Sequence, residues 1–207
     1  LSAVGISATH YRAGDVVTFF DAPAETLPWT RKIRRGRRTS LLPAHVMASS
    51  AIPLFFPPVQ LDDGYYGDGG IRMGAPLSPA IHLGASRILA IGLRPKEVGQ
   101  TQAESLQQPV APIDIAGAVF NGLFFDSLDF DEERMNRINR THSMMTAEQI
   151  EKDPDQLKVI PLLVLRPSVD LGTLASEHFG RFPYTLRHLL NGLGASQESG
   201  WEFLSYI

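Results

Sequence analysis

Among the side chains that could do chemistry, Asp68 has the most suggestive setting. It lies in Gly67-Asp68-Gly69-Gly70, directly after Tyr65-Tyr66. A carboxylate followed by two glycines sits on a backbone free to turn with positive φ, and no neighbouring Cβ blocks a ligand or a second side chain. Taken alone, the tetrad equally describes an ordinary Asp-Gly turn. A serine nucleophile on a strand-to-helix elbow needs G-x-S-x-G, and the sequence has none. Gly5-Ile6-Ser7-Ala8-Thr9, Gly84-Ala85-Ser86-Arg87-Ile88 and Gly194-Ala195-Ser196-Gln197-Glu198 come nearest, and each lacks the second glycine. Cysteine is absent, which removes thiol nucleophiles, thiolate zinc sites and disulfides together. The six histidines (His10, His45, His82, His142, His178 and His188) show no H-E-x-x-H spacing. Asp62-Asp63-Gly64 beside Asp68 lacks the alternating carboxylates of an EF-hand loop. No metal and no cofactor is expected.

The elements that must position Asp68 are legible as periodicity and punctuation. Leu1–Ile6 and Val16–Phe20 read as strands about a turn at residues 11–15. Residues 21–42 lose periodicity. Pro43 opens a helix that ends near Ser50, before Ile52-Pro53. Pro76 opens a second short helix with Gly84 as its stop. Arg87–Leu93 is a near-continuous apolar run, suited to a strand buried on both faces of a parallel sheet. Residues 95–112 read as an exposed loop. A long helix is expected from Ile113, with Phe124, Leu128, Met135 and Ile138 on one face. The acids Asp126, Asp129, Asp131, Glu132 and Glu133 are expected to favour its early turns, with Glu133 paired to Arg137. Val159–Leu165 reads as a last buried strand and His178–Leu193 as a helix. Together these elements argue an α/β sandwich.

Composition fits a folded chain: 43% of residues are hydrophobic, 20% charged, and the net charge is −3. The charge is uneven. Residues 1–50 hold seven basic and three acidic side chains, a net +4, which leaves −7 for the rest. No segment reaches the roughly 18–20 apolar residues of a membrane-spanning helix. The chain opens on Leu1 without Met and closes on Tyr206-Ile207, and is expected to be a piece of a longer polypeptide.

One long run of residues has a family resemblance. Ala48-Ser49-Ser50-Ala51-Ile52-Pro53-Leu54-Phe55-Phe56-Pro57-Pro58 is followed by Gly67-Asp68-Gly69-Gly70. Then come Pro76-Leu77-Ser78-Pro79-Ala80 and the strand Arg87–Ile91. This resembles the later half of the patatin-like phospholipase domain over roughly residues 1–95, and more loosely Arg166–Leu171 and Gly200–Ile207. The resemblance implies a three-layer α/β sandwich with a mostly parallel central sheet, present as an N-terminally truncated part. Residues 1–95 would be the later half of the catalytic domain and residues 96–207 a helical and strand extension of it. It also implies a Ser–Asp dyad acting on lipid or other acyl esters. Asp68 matches its base, Gly69 and Gly70 match its glycines, and the serine and oxyanion loop are expected upstream of Leu1. Gly74 departs from the pattern, since many relatives have Asn there. Tyr65, Tyr66 and Ile71 would give the carboxylate a partly apolar setting, which a weak base needs.

The basic run Arg31-Lys32-Ile33-Arg34-Arg35-Gly36-Arg37-Arg38 is a second candidate surface. Arg31, Lys32, Arg34, Arg35, Arg37 and Arg38 suit phosphate headgroups or an anionic membrane. A solvated loop is the plain alternative. Nucleic acid is not expected, because no aromatic residues interleave for stacking. Two other functions stay open: a non-catalytic lipid-binding or interaction module that keeps the fold, and an esterase of small esters.

Overall fold

The computed structural model describes residues 3–53, 55–95, 110, 112–152 and 158–169. Two compact bodies divide them: one within Leu1–Ile88 and Ser127–Leu163, the other within Leu89–Asp126 and the residues from Val164 onward. In the first body, β1 (Val4–His10) and β2 (Asp15–Asp21) form an antiparallel hairpin running in register from Val4–Asp21 to His10–Asp15. Gly14 closes its turn with φ of 70°, and its N–H bonds the His10 carbonyl at 2.8 Å.

β2 is the centre of the first body. Val16 through Phe20 are all buried. Strand alternation sends Val17 and Phe19 to one face and Val16, Thr18 and Phe20 to the other. Helix α1 (Pro43–Ser49) covers the first face, where Ala48 packs with Ala8, Val17, Phe19 and Tyr66. Leu83 approaches the second face beside Thr18 and Gly5. Fully burying each of Phe19, Phe20 and Tyr66 contributes about 1.5–3 kcal/mol.

β3 (Trp29–Thr30), β4 (Arg34–Arg38), β5 (Val59–Leu61) and β6 (Gly64–Asp68) complete a six-stranded sheet of order β3-β4-β2-β1-β6-β5. The sheet is mixed, and β2–β4 is its one parallel pairing; the other four are antiparallel. Connection length explains the departure from a mostly parallel expectation. Short turns close only hairpins, while a parallel neighbour needs about a dozen linking residues. The β1–β2, β3–β4 and β5–β6 connections are two to four residues long and close hairpins, residues 22–33 join the parallel pair β2–β4, and β1–β6, separated by residues 11–63, is antiparallel without that constraint.

Several other elements differ from the sequence reading. Residues 21–42 hold β3 and β4, hidden because β4 is arginine on both faces. Helix α2 (Ser78–His82) starts two residues after Pro76. β7 (Ile88–Ile91) and β8 (Leu162–Leu165) form a separate two-stranded sheet. Bonds from Ile88 N to the Pro161 carbonyl (2.9 Å) and from Gly92 N to that of Leu165 (2.8 Å) step the same way along both strands, so the pair is parallel. Leu89 and Ile91 are exposed, so β7 is not buried on both faces as its apolar run suggests.

The expected long helix breaks at Phe125 into α3 (Pro112–Phe124) and α4 (Asp126–Met144), and α5 (Ala147–Glu151) follows. Met135 is buried, while Leu128 and Ile138 are half-buried. Glu133 and Arg137 do not pair. Of the acids around them, Asp126 pairs with Arg94 at 3.1 Å, and buried Asp131 accepts the Leu77 N–H at 2.9 Å. The expected helix His178–Leu193 and the matches from Asp170 to Ile207 lie outside the described residues.

Candidate functional site

Asp68 is the last residue of β6, where the strand gives way to a single 3₁₀ turn, Gly69–Ile71. Its position is fixed from two sides. In the sheet it pairs with Ala8 of β1, and its N–H bonds the Ala51 carbonyl just beyond α1 at 3.0 Å. Alternation from Tyr66 places its side chain on the α1 face. The carboxylate is half-buried. Its Oδ1 accepts the Gly70 N–H at 2.7 Å, capping the turn. Oδ2 has no hydrogen-bond partner, and the carboxylate no ion pair, among the described residues. Burial pushes the Asp68 carboxyl above the usual carboxylate range, and the Gly70 bond only partly offsets it. The result is a held carboxylate of raised basicity with one oxygen free to take a proton.

The two glycines serve differently from the sequence expectation. Neither Gly69 nor Gly70 has a positive φ. Gly69 is required by close packing: a Cβ there would run into the Ser7 carbonyl oxygen and come within 2.9 Å of its carbon. Gly70 contributes its N–H. Gly74 has open space around its Cα, so the departure there disturbs no packing.

The aromatic setting also differs. Tyr66 is buried on the Asp68 side of β6, but its hydroxyl donates to Asp63 at 2.9 Å. Tyr65 points out and is half exposed. Sequence reasoning missed Tyr11, whose ring lies against Gly67, where any Cβ would collide with its hydroxyl. Burial and then the Asp68 charge raise the Tyr11 hydroxyl above its ordinary value, which puts the phenol within electrostatic reach of the carboxylate. Tyr11 sits in the hairpin turn, and only the β1–β6 register brings it to Gly67. No local spacing signals that.

No serine of the first hairpin serves Asp68. Ser7 turns to the opposite face and shares a hydrogen bond with Thr18 Oγ1 at 2.9 Å. Ser50 Oγ is bound to the Val46 carbonyl at 3.0 Å. On the face of β1 that Asp68 shares through its partner Ala8, an apolar groove of about 480 Å³ runs from Ile6 along α1. Leu42, Val46 and Met47 line it and are more than half exposed.

The basic run splits by strand alternation. On the α1 face, Arg35 pairs with buried Asp15 at 2.5 Å; Arg37 pairs with Asp63 at 2.6 Å and lies 4.6 Å over the Phe19 ring. On the other face Arg38 lies over Phe20 and donates to the carbonyls of Ala22, Pro23, Ala24 and Thr26. These three cations therefore brace the fold. Arg31, Lys32 and Arg34 have no carboxylate partner among the described residues.

The family model described as patatin-like phospholipase matches residues 4–81, the stretch from β1 into α2 that contains Asp68 and its supports. No curated protein and no solved structure matches the chain.

Proposed function

We propose, from the match of residues 4–81 to the patatin-like phospholipase family model, that this chain carries the proton acceptor of a lipid acyl hydrolase and that Asp68 is that acceptor. The serine it serves comes from sequence outside these 207 residues. Asp68 Oδ2 takes the serine hydroxyl proton as Oγ attacks the ester carbonyl. The alcohol leaves with that proton, and water then releases the acid from the acyl-serine. The same reading sets the mixed sheet within a larger three-layer α/β sandwich.

The observation that carries this reading is the state of Asp68. It is half-buried, held through one oxygen by a backbone N–H and free of any ion pair among the described residues. The groove from Ile6 along α1 supports a lipid rather than a small-ester substrate, because it offers an apolar wall on the carboxylate's own face.

The test uses the polypeptide that includes the serine. Asp68→Asn is expected to lower kcat by at least about a hundredfold, the low end for removing a general base. Wild-type kcat/KM on p-nitrophenyl esters should rise with acyl length. Retained activity in Asp68→Asn removes the base assignment, and a preference for acetate over long chains moves the substrate to small esters. The 207-residue chain by itself serves as the control and should turn over neither.

A further inference from the structure

On the face of the sheet opposite α1, three rings stack in sequence. Phe20 and Trp29 lie 5.2 Å apart between centroids and Trp29 and His82 4.7 Å apart, with planes within 16° in both pairs. Trp29 can lie flat there because Gly36 beneath it has no Cβ, which would otherwise fall inside the indole. Along β4, Arg34 and Arg38 flank Gly36 on that same face. Beside the stack is a groove of about 510 Å³, with Trp29, Thr30 and Arg31 on one side, His82 on another, and Glu25 as the one carboxylate among its lining residues.

Arg31 lines this groove and Arg34 lies behind it within electrostatic reach of His82; neither has a carboxylate partner among the described residues. Arg31 lines it directly; its backbone N–H bonds the Arg34 carbonyl at 2.8 Å, which ties the two residues together. Arg34 Nη1 is the one buried side-chain nitrogen or oxygen without a hydrogen-bond partner among the described residues. The contrast with Arg38 on the same face is telling, since that guanidinium is saturated by loop carbonyls. A buried N–H left unmade carries the full cost of its lost hydration, and an anion supplies the missing acceptor. His82 reports both charges. Burial, then Arg31 and Arg34, hold its imidazole below the usual value. At neutral pH it is therefore an uncharged ring, able to donate one N–H from the flank.

We propose that this groove binds a phosphate-type oxyanion, held by Arg31 and Arg34 with His82 on its flank. Two guanidinium forks match a phosphate mono- or diester in charge and in the number of acceptor oxygens. The phosphate has two sources, free in solution or as the headgroup of a phospholipid. Binding here requires nothing of Asp68, which lies on the opposite face of the sheet.

The full 207-residue chain is titrated by calorimetry with inorganic phosphate and glycerol 3-phosphate. It is also sedimented with phosphatidylcholine vesicles, with and without phosphatidic acid. Arg31→Gln and Arg34→Gln are each expected to weaken binding by roughly tenfold, as loss of a charge-assisted contact does. Arg12→Gln, in the exposed hairpin turn, should leave binding unchanged, and Glu25→Gln should tighten it. Arg31 is exposed, so its variant tests the site even where Arg34→Gln melts early. In the wild-type chain, phosphate should raise the His82 pKa followed by NMR, with Arg31, Arg34 and Glu25 as the charged groups of its groove. Binding of free phosphate that both variants weaken identifies a soluble ligand. Binding confined to phosphatidic acid vesicles and weakened by the same variants identifies a headgroup. Absence of binding in both forms, or equal weakening by Arg12→Gln, overturns the site.

Discussion

At the scale of single residues, Asp68 makes a prediction that needs no substrate. Burial raises its pKa in the folded chain, so the stability it contributes is complete below the ordinary carboxylate pKa and is lost as pH rises through the folded value. At neutral pH its charge therefore weighs against folding. Asp68→Asn keeps an oxygen to accept the Gly70 N–H and discards that charge. The variant should melt at a higher temperature than wild type at pH 7, and the two should converge toward about pH 4. Calorimetric melts across that window check it; a less stable variant at pH 7 would mean that the carboxylate makes a stabilising ionic contact. Much of this was legible in the sequence, which singled out Asp68 by its glycines. It misjudged why Gly69 must be glycine, because the collision with the Ser7 carbonyl comes from β1, some sixty residues away in the chain.

Among the elements, β4 shows where local pattern fails. Its sequence, Arg-Arg-Gly-Arg-Arg, has no apolar alternation, so it reads as solvated loop. Pairing with buried β2 overrides this, and each arginine is then spent according to its face. Helix α1 and the β1–β2 hairpin were legible because Pro43 and the Gly14 turn act within a few residues. Arg38 has the most distinctive task. It gathers the carbonyls of Ala22, Pro23, Ala24 and Thr26, in a segment without helix or strand, around one guanidinium. Arg38→Gln should release that segment while leaving the hairpin in place. Faster amide hydrogen exchange should follow at Thr26, with residues 16–20 still protected and a loss of about 1–3 kcal/mol in global stability. Unchanged exchange at Thr26 would show that the segment holds itself.

At the scale of the whole molecule, the first body is closed by chain that returns after a long excursion. Among its contacts are one within the returning chain and one from it to the earlier chain. Asn139 forms a reciprocal pair with Ile160, donating from Nδ2 at 2.8 Å and accepting from the Ile160 N–H at 3.0 Å. Asp131, buried on α4, accepts the Leu77 N–H at the start of α2. In the sequence Asp131 is one acid in a cluster, and nothing local separates it from its solvated neighbours. Only the tertiary fold gives it a partner 54 residues away. Leu77 is itself buried, so removing the acceptor leaves its N–H without water or protein to bond. Asp131→Ala should therefore cost about 1–3 kcal/mol and speed exchange of the Leu77 amide, whereas Asp131→Asn, which keeps an acceptor oxygen, should recover most of both. Since α2 ends in His82, the alanine variant should also disturb the Trp29–His82 stack, read as a change in His82 ring shifts. Full protection of Leu77 in Asp131→Ala would mean that α2 is held by its own packing and that α4 adds only burial.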